Sequence, residues 1–366
     1  MIERADDDAF DALALEVFAH QYARNAPYRS FCDRRGLTPD RIDQWRRIPA
    51  VPTSAFKVAE LTCRPGEPAA LFLTSGTTQG MERRGRHPVA DLALPHAAIL
   101  SNAQTHLFPD LPLSEGRRML ILSLTPPPSE RPRSSLIHMI DLLMRRWGTG
   151  ESRFLGASDG LDGEALRQSL CRTAAGERPV ALFGTTAAFA RWFDECAARG
   201  WREALPPGSR VMDTGGRKGV EGLRPPALRA MDHRDTFLSS CERFLGLPSH
   251  AVVNEYGMTE LGSQFYDDHF AAVTTGKNPL GVKIVPPWVR VRVIDPATGE
   301  EVPDGAPGLL CHYDLANLHS VMAVRTDDLG MKPPGVPDGL HLLGRAAGSE
   351  PRGCSLDPST ALLTPR

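Results

Sequence analysis

The sequence predicts an α/β fold: a large N-terminal part of mixed or parallel sheets flanked by helices, followed by a small β-rich subdomain. Three observations carry this. Between about residues 117 and 257, short apolar runs alternate with stretches of helical periodicity, the pattern of a parallel sheet covered on both faces. From about residue 284 the pattern changes to strand, turn-rich connection, strand. Gly 33 and Pro 32 are high counts for 366 residues, which argues for many turns and long connections and against a helical bundle.

The elements follow in order. "DAFDALALEVFAHQYARN" opens with acidic residues and recurs apolar ones at helical spacing, predicting a helix to about residue 24. "RIPAVPTSAFK" (47–57) is extended and broken by prolines, and "AALFLTSGTTQG" reads as strand then loop. "RRMLILSLTPPP" (117–128) is a strand stopped by three prolines; "LIHMIDLLMRRW" is a helix with Ser134 or Ser135 as its cap. Helix "DGEALRQSLCRTAA", strand "PVALFG", helix "TAAFARWFDECAARG", strand "SRVMDTGG", helical "ALRAMDHRDTFLSSCERFLG" and strand "HAVVNEYG" continue the alternation. "VPPWVRVRVIDPATGEEVPDGAPGLLCHYDL" gives two strands, and "VMAVRTDDLG" and "GLHLLGR" complete a β-rich tail. The expected segments are residues 1–283 (α/β core), 284–345 (β-rich subdomain) and 346–366 (a short tail carrying Cys354).

Composition excludes some functions. Lys+Arg 42 against Asp+Glu 44 leaves a net charge of −2, with no basic surplus for nucleic acid or an anionic membrane. The seven cysteines (Cys32, Cys63, Cys171, Cys196, Cys241, Cys311, Cys354) are scattered and form no C-x-x-C pair, so neither a zinc site nor a disulfide framework is indicated. The acidic start "MIERADDDAF" is no signal segment, and no apolar run approaches the roughly 20 residues of a membrane span, so a cytoplasmic setting is expected.

Five polar turns stand at strand ends. "TSGTTQG" (74–80) is either a solvated Ser/Thr turn or a loop whose N–H groups and hydroxyls surround phosphate oxygens; it lacks the Walker spacing. "NEYGMTELG" (254–262) places Tyr256 and Glu260 after a strand, as a surface turn or as a base-stacking ring and a Mg²⁺-holding carboxylate. "RTDDLG" (325–330) is a capping turn or a pair of carboxylates for metal, acid–base work or ribose hydroxyls. Arg345 ends "GLHLLGR", and "VMDTGGRKG" has a Gly-Gly where backbone can pass close to a flat ring.

Their order is more specific than any one of them. The set TSGTTQG, GG, YGMTE, TDDLG, GR resembles the signature of the adenylate-forming superfamily of acyl-CoA synthetases and nonribosomal adenylation domains. "IPAVPTSAFK", "SSL" near 134–136, "DLAN" at 314–317 and "GSEPRGCSL" make the chain similar to the LuxE-type acyl-protein synthetases, over roughly residues 45–356. The resemblance implies that Thr74, Ser75, Gly76, Thr77 and Thr78 hold the ATP phosphates, that Gly215 and Gly216 line the adenine and that Tyr256 stacks on it. It implies that Thr259 contacts the α-phosphate, Glu260 holds Mg²⁺, Asp328 binds ribose and Arg345 is the family's G-R arginine.

Departures are visible. Asp327 replaces the Gly of the family's usual T-G-D. Where the phosphate loop usually runs to a Lys, "MERRGRH" offers Arg83, Arg84 or Arg86. Only 21 residues follow Arg345, too few for the mobile C-terminal domain of full-length adenylating enzymes, so an adenylation core without that full domain is expected.

The implied function is ATP-dependent activation of a carboxylic acid, fatty or aryl, as the acyl-adenylate, then transfer to a thiol. The resemblance places that thiol near the C-terminus. Cys354 fits, with Pro351 and Gly353 favouring irregular backbone and Arg352 favouring thiolate; the other six cysteines read as small apolar fillers. The expected recipient is a partner such as an acyl reductase or another acyl-acceptor protein. Two alternatives stay open: a CoA ligase of the phenylacetate or aryl-acid type with Cys354 incidental, and a non-catalytic nucleotide-binding partner module. "LFGTTAAFARWF" (182–193) is either an acyl-pocket wall or ordinary helix–sheet packing, and His87, His138 and His319 receive no role.

Overall fold

The computed structural model describes residues 7–74, 84–158, 160–215 and 234–346. By contacts the chain divides into two units that are discontinuous in sequence. Of the described residues, one unit holds 7–102, Gly257–Phe265 and 282–346; the other is built from Ala103–Tyr256 and Tyr266–Gly281.

The second unit is the predicted parallel sheet. Strands Val252–Tyr256, Arg210–Thr214, Val180–Thr185, Leu120–Ser123 and Arg153–Phe154 lie side by side in that order, all parallel. Their near-continuous apolar runs are the mark of strands covered on both faces: every residue of Arg210–Thr214, and all of Val180–Thr185 except Thr185, is buried. Helices start where a hydroxyl or carboxylate accepts a free N–H of the first turn. Ser134 caps Ser135–Trp147 (3.3 Å to Ile137 N), Asp162 caps Gly163–Ala175 (2.9 Å to Ala165 N) and Thr185 caps Thr186–Arg199 (3.1 Å to Ala188 N).

Leu122, Leu182, Val211 and Val252 of the strands share one core with Phe189 and Phe193 of Thr186–Arg199 and with Phe237 and Phe244 of Arg234–Leu245. Phe189 meets Phe237 edge-on at 5.7 Å, and Phe193 stacks on Phe244 at 5.5 Å. Buried charges also lie in this unit. Arg210, 1% exposed, holds Asp110 through two nitrogens (2.7 and 2.6 Å) and lies over the Phe270 ring at 4.4 Å.

The first unit is antiparallel. Strands Lys283–Ile284, Gly339–Arg345, Ala323–Met331, Gly308–Asp314 and Val289–Ile294 form a sheet in that order. The proline-broken segment contributes Val51–Pro52, which pairs in parallel with Ala323–Met331 through Val51 opposite Val324. Helix Asp7–Arg24 buries Phe10, Ala14, Val17, Phe18 and Gln21; Phe10 meets Trp45 edge-on at 5.6 Å, and Trp45 meets Tyr313 at 4.9 Å. A hairpin of Ala70–Leu73 and Arg86–Val89 completes the unit. No helix among the described residues is long and apolar enough to cross a membrane.

Candidate functional site

The parallel unit gathers polar groups where its strands end. Asp213, 1% exposed, ion-pairs with Arg234 Nη1 at 2.6 Å and accepts from Asn254 Nδ2 at 3.0 Å; Thr186 Oγ1 lies 2.9 Å away. The other Arg234 nitrogen donates to the Val252 carbonyl at 2.9 Å and lies 3.4 Å from Asp267. Thr214 donates its hydroxyl to the buried Glu255 carboxylate. In the parallel register Thr214 stands opposite Glu255, so Gly215 and Tyr256 come next at the same end of neighbouring strands. Gly215 turns the chain there with φ +85°, a conformation that glycine adopts without strain, and its carbonyl is 3.1 Å from Thr186 Oγ1. Tyr256 is half-buried.

The antiparallel unit holds the remaining described candidates. Thr74 closes the hairpin: its N–H donates to the Gly85 carbonyl at 2.9 Å and its hydroxyl accepts from Gly85 N at 2.7 Å. A Cβ at Gly85 would meet the Thr74 side chain at 2.9 Å, so a larger residue there would displace that side chain. Ser75, Gly76, Thr77, Thr78, Arg83, Gly216 and Cys354 lie outside the described residues. Asp328 and Arg345 face each other across neighbouring antiparallel strands, with Arg345 Nε 3.2 Å from Asp328 Oδ1. Asp327 takes the other end of the guanidinium at 3.1 Å.

Thr259 is half-buried and Glu260 5% exposed. Their backbone is held from outside the segment. His87 Nδ1 lies 2.5 Å from the Thr259 carbonyl, and Asn317 Nδ2 donates to the Glu260 carbonyl at 2.7 Å. Asp314, with no exposed surface, accepts from Gly262 N (2.9 Å), Ser263 Oγ (2.8 Å) and Ala316 N (3.0 Å). Burial pushes the Asp314 carboxyl up to about 6 against those three donors, which favour the charged form. Burial also keeps His87 neutral to lower pH than usual, so Nδ1 carries the proton that the Thr259 carbonyl accepts.

Sequence reasoning missed these supports. "DLAN" stood out only as part of a resemblance, yet its Asp314 and Asn317 fix the Gly257–Phe265 segment. His87 was one of three unassigned histidines, and Asp213 and Arg234 carried no signal beyond charge at a strand end and a helix start. The aromatic wall reading of 182–193 gives way to packing. Phe183, Phe189, Trp192 and Phe193 are each 2% exposed or less, and the last three pack within the apolar core. Cys354 lies outside the described residues, and the other six cysteines are all described. Burial pushes Cys32 and Cys196 up to about 12 and Cys63 and Cys311 up to about 11, and raises Cys171 and Cys241 too, leaving six poor nucleophiles.

Comparison with known proteins places the chain in a family. Residues 159–363, more than half of the chain, match the family described as "Acyl-protein synthetase, LuxE". The chain belongs to the LuxE acyl-protein synthetase family. It is an adenylate-forming ligase. Similar curated relatives are the long-chain-fatty-acid–luciferin-component ligases of Aliivibrio fischeri (24% identical over 364 residues, 96% of this chain and 88% of the relative) and of Vibrio harveyi (24% over 359 residues, 95% and 87%). Among solved structures, 2-hydroxyisobutyryl-CoA ligase in an open conformation with 2-HIB-AMP and CoA is similar with a TM-score of 0.65 at 15% identity, covering 94% of this chain and 76% of that one. The same ligase in the postadenylation state gives 0.64 at 14% identity, covering 98% and 73%. This LuxE-family chain therefore has the fold of the adenylate-forming ligases.

Proposed function

We propose that this LuxE-family ligase uses ATP to convert a long-chain fatty acid to its acyl-adenylate and then carries the acyl group on its own Cys354 for delivery to an acyl reductase. The observation that carries the reading is the fixed backbone under Thr259 and Glu260, whose side chains sit on a segment held by His87, Asn317 and Asp314. Preorganised groups of this kind stabilise charge without reorganising during the reaction.

In the first step a carboxylate oxygen attacks the α-phosphorus and pyrophosphate leaves with the bonding electron pair. Thr74, Ser75, Gly76, Thr77 and Thr78 would hold the phosphates and Thr259 the α-phosphate. Gly215, Gly216 and Tyr256 would take the adenine, and Asp328 with Arg345 the ribose. Two guanidinium atoms fit an anionic ligand: the buried Arg84 Nε and Arg345 Nη1 have no hydrogen-bond partner among the described residues. A buried carboxylate beside phosphate oxygens is the donor set that Mg²⁺ takes in nucleotide sites, and Glu260 fits that part. Bound there, the ion would supply positive charge to the phosphoryl oxygens.

In the second step the Cys354 thiolate attacks the acyl carbonyl carbon, AMP leaves, and a thioester forms. The relatives' long-chain-fatty-acid substrate and the high thiol pKa values of the six described cysteines support this step. Radiolabelled long-chain acid and ATP, followed by a denaturing gel, test it. Label on the protein without CoA is expected; label found only in a CoA thioester sinks the self-acylation reading. Glu260→Gln should abolish ATP–pyrophosphate exchange, whereas Cys354→Ala should keep exchange and lose the protein-bound label. Equal loss of both activities in Cys354→Ala contradicts this division of labour.

A further inference from the structure

Two consecutive carbonyls, those of Thr259 and Glu260, are each held by a side chain from a remote element. The Thr259 carbonyl belongs to the peptide plane preceding the Glu260 Cα, and the Glu260 carbonyl to the plane following it. His87, on the hairpin strand Arg86–Val89, reaches the first at 2.5 Å; Asn317, in the turn after Gly308–Asp314, reaches the second at 2.7 Å. A residue has only two soft backbone dihedrals, and fixing both flanking planes sets them. Those dihedrals in turn fix the direction of the Cα–Cβ bond.

We propose that His87 and Asn317 form a two-donor clamp that orients the Glu260 side chain for the adenylation step, with His87 as a positioning residue. The inference rests on the role given to Glu260 above and adds to it the groups that make the carboxylate effective. His87 is itself held in place. It is 3% exposed, and its ring meets Phe56 of the "PTSAFK" segment edge-on at 5.5 Å. Asn317 is held too: its own carbonyl accepts from Gln21 Nε2 at 2.9 Å, and its amide donates also to the Val321 carbonyl at 3.2 Å. Donors locked by packing transmit geometry instead of absorbing it.

The clamp requires a donor at the Nδ1 position of residue 87, not merely a polar side chain. Asparagine places its amide nitrogen near Nδ1 of histidine, whereas glutamine places it near Nε2. His87→Asn should therefore hold ATP–pyrophosphate exchange within about threefold of wild type, while His87→Gln should lower kcat about tenfold, in the range seen when partners of metal-holding residues are removed. His87→Gln should also raise the Mg²⁺ concentration for half-maximal exchange and leave the KM for the fatty acid unchanged. In a Glu260→Asp background, whose carboxylate is already displaced, His87→Gln should cost little more. Equal exchange kinetics for His87→Asn and His87→Gln, or full additivity with Glu260→Asp, overturns the clamp. Wild-type protein silent with every long-chain acid overturns the adenylation reading itself, so the two failures are distinguishable.

Discussion

The two units assemble polar groups by opposite routes. In the parallel unit, Asp213, Thr214, Gly215, Asn254, Glu255 and Tyr256 meet because parallel strands end at one edge; topology alone brings their tips together. In the antiparallel unit, Thr259 and Glu260 sit on an irregular segment with no ladder of its own, and isolated side chains (His87, Asp314 and Asn317) hold it. The first arrangement is underwritten by a whole sheet, while the second depends on a few individual contacts. Damage should show as lost stability in the one and lost catalysis in the other.

The largest stability effect should come from Arg234→Met. It leaves the Asp213 carboxylate, 1% exposed, without its cation, at a cost of about 3 kcal/mol. In a chain of this size that lowers the melting temperature by on the order of 5 °C. A melting temperature unmoved by this change would show that the strand-end charges do not brace the sheet.

A smaller loss is expected for Gln21→Leu. Gln21 has no exposed surface and satisfies the carbonyls of Asn317 and Leu318 and the N–H of Met322, so the change costs about 2 kcal/mol. Because Asn317 then loses a support, pyrophosphate exchange should fall by more than the fraction unfolded. Exchange that tracks the folded fraction would count against the contrast between the units.

A third effect is on pH dependence, and its sign differs between the units. Asp314 has its pKa raised by burial from 3.8 to about 6, so the folded state holds a proton that the unfolded state releases. Its contribution to stability is full below about pH 4 and is lost as pH rises through about 6. His106, in the parallel unit, is lowered by burial from 6.5 to about 4. Its contribution is full above 6.5 and is lost as pH falls through about 4. Melting curves across this window should therefore lose one slope in Asp314→Asn and the opposite slope in His106→Gln. Unchanged slopes in both variants would refute the assignment.

The fold was legible where one segment carries its own signal. Alternating strand and helix runs, the Ser134 cap and the change to β-rich sequence near residue 284 all depend on neighbours within a few positions. A change of pattern along the chain does not say which segments pack together, however, and the two contact units are each discontinuous. The motif residues were legible for the same local reason. Their supports were not: His87 and Thr259 are 172 positions apart, and Asn317 and Glu260 are 57 apart. No periodicity encodes such a pairing. Asp328 and Arg345 are expected separately at two strand ends; Asp328 instead lies within the strand Ala323–Met331, and the antiparallel register shows that the two face one another.

The discontinuity of the antiparallel unit has a consequence for synthesis. Gln21 finds Met322 only 301 positions later, and Val51–Pro52 must await the strand Ala323–Met331. At ribosomal speed that interval is on the order of 15–60 s, during which helix Asp7–Arg24 can meet Tyr28 and Trp45 but not the later strand that completes its setting. That helix and Val51–Pro52 therefore reach these late partners only after the strand Ala323–Met331 has been made.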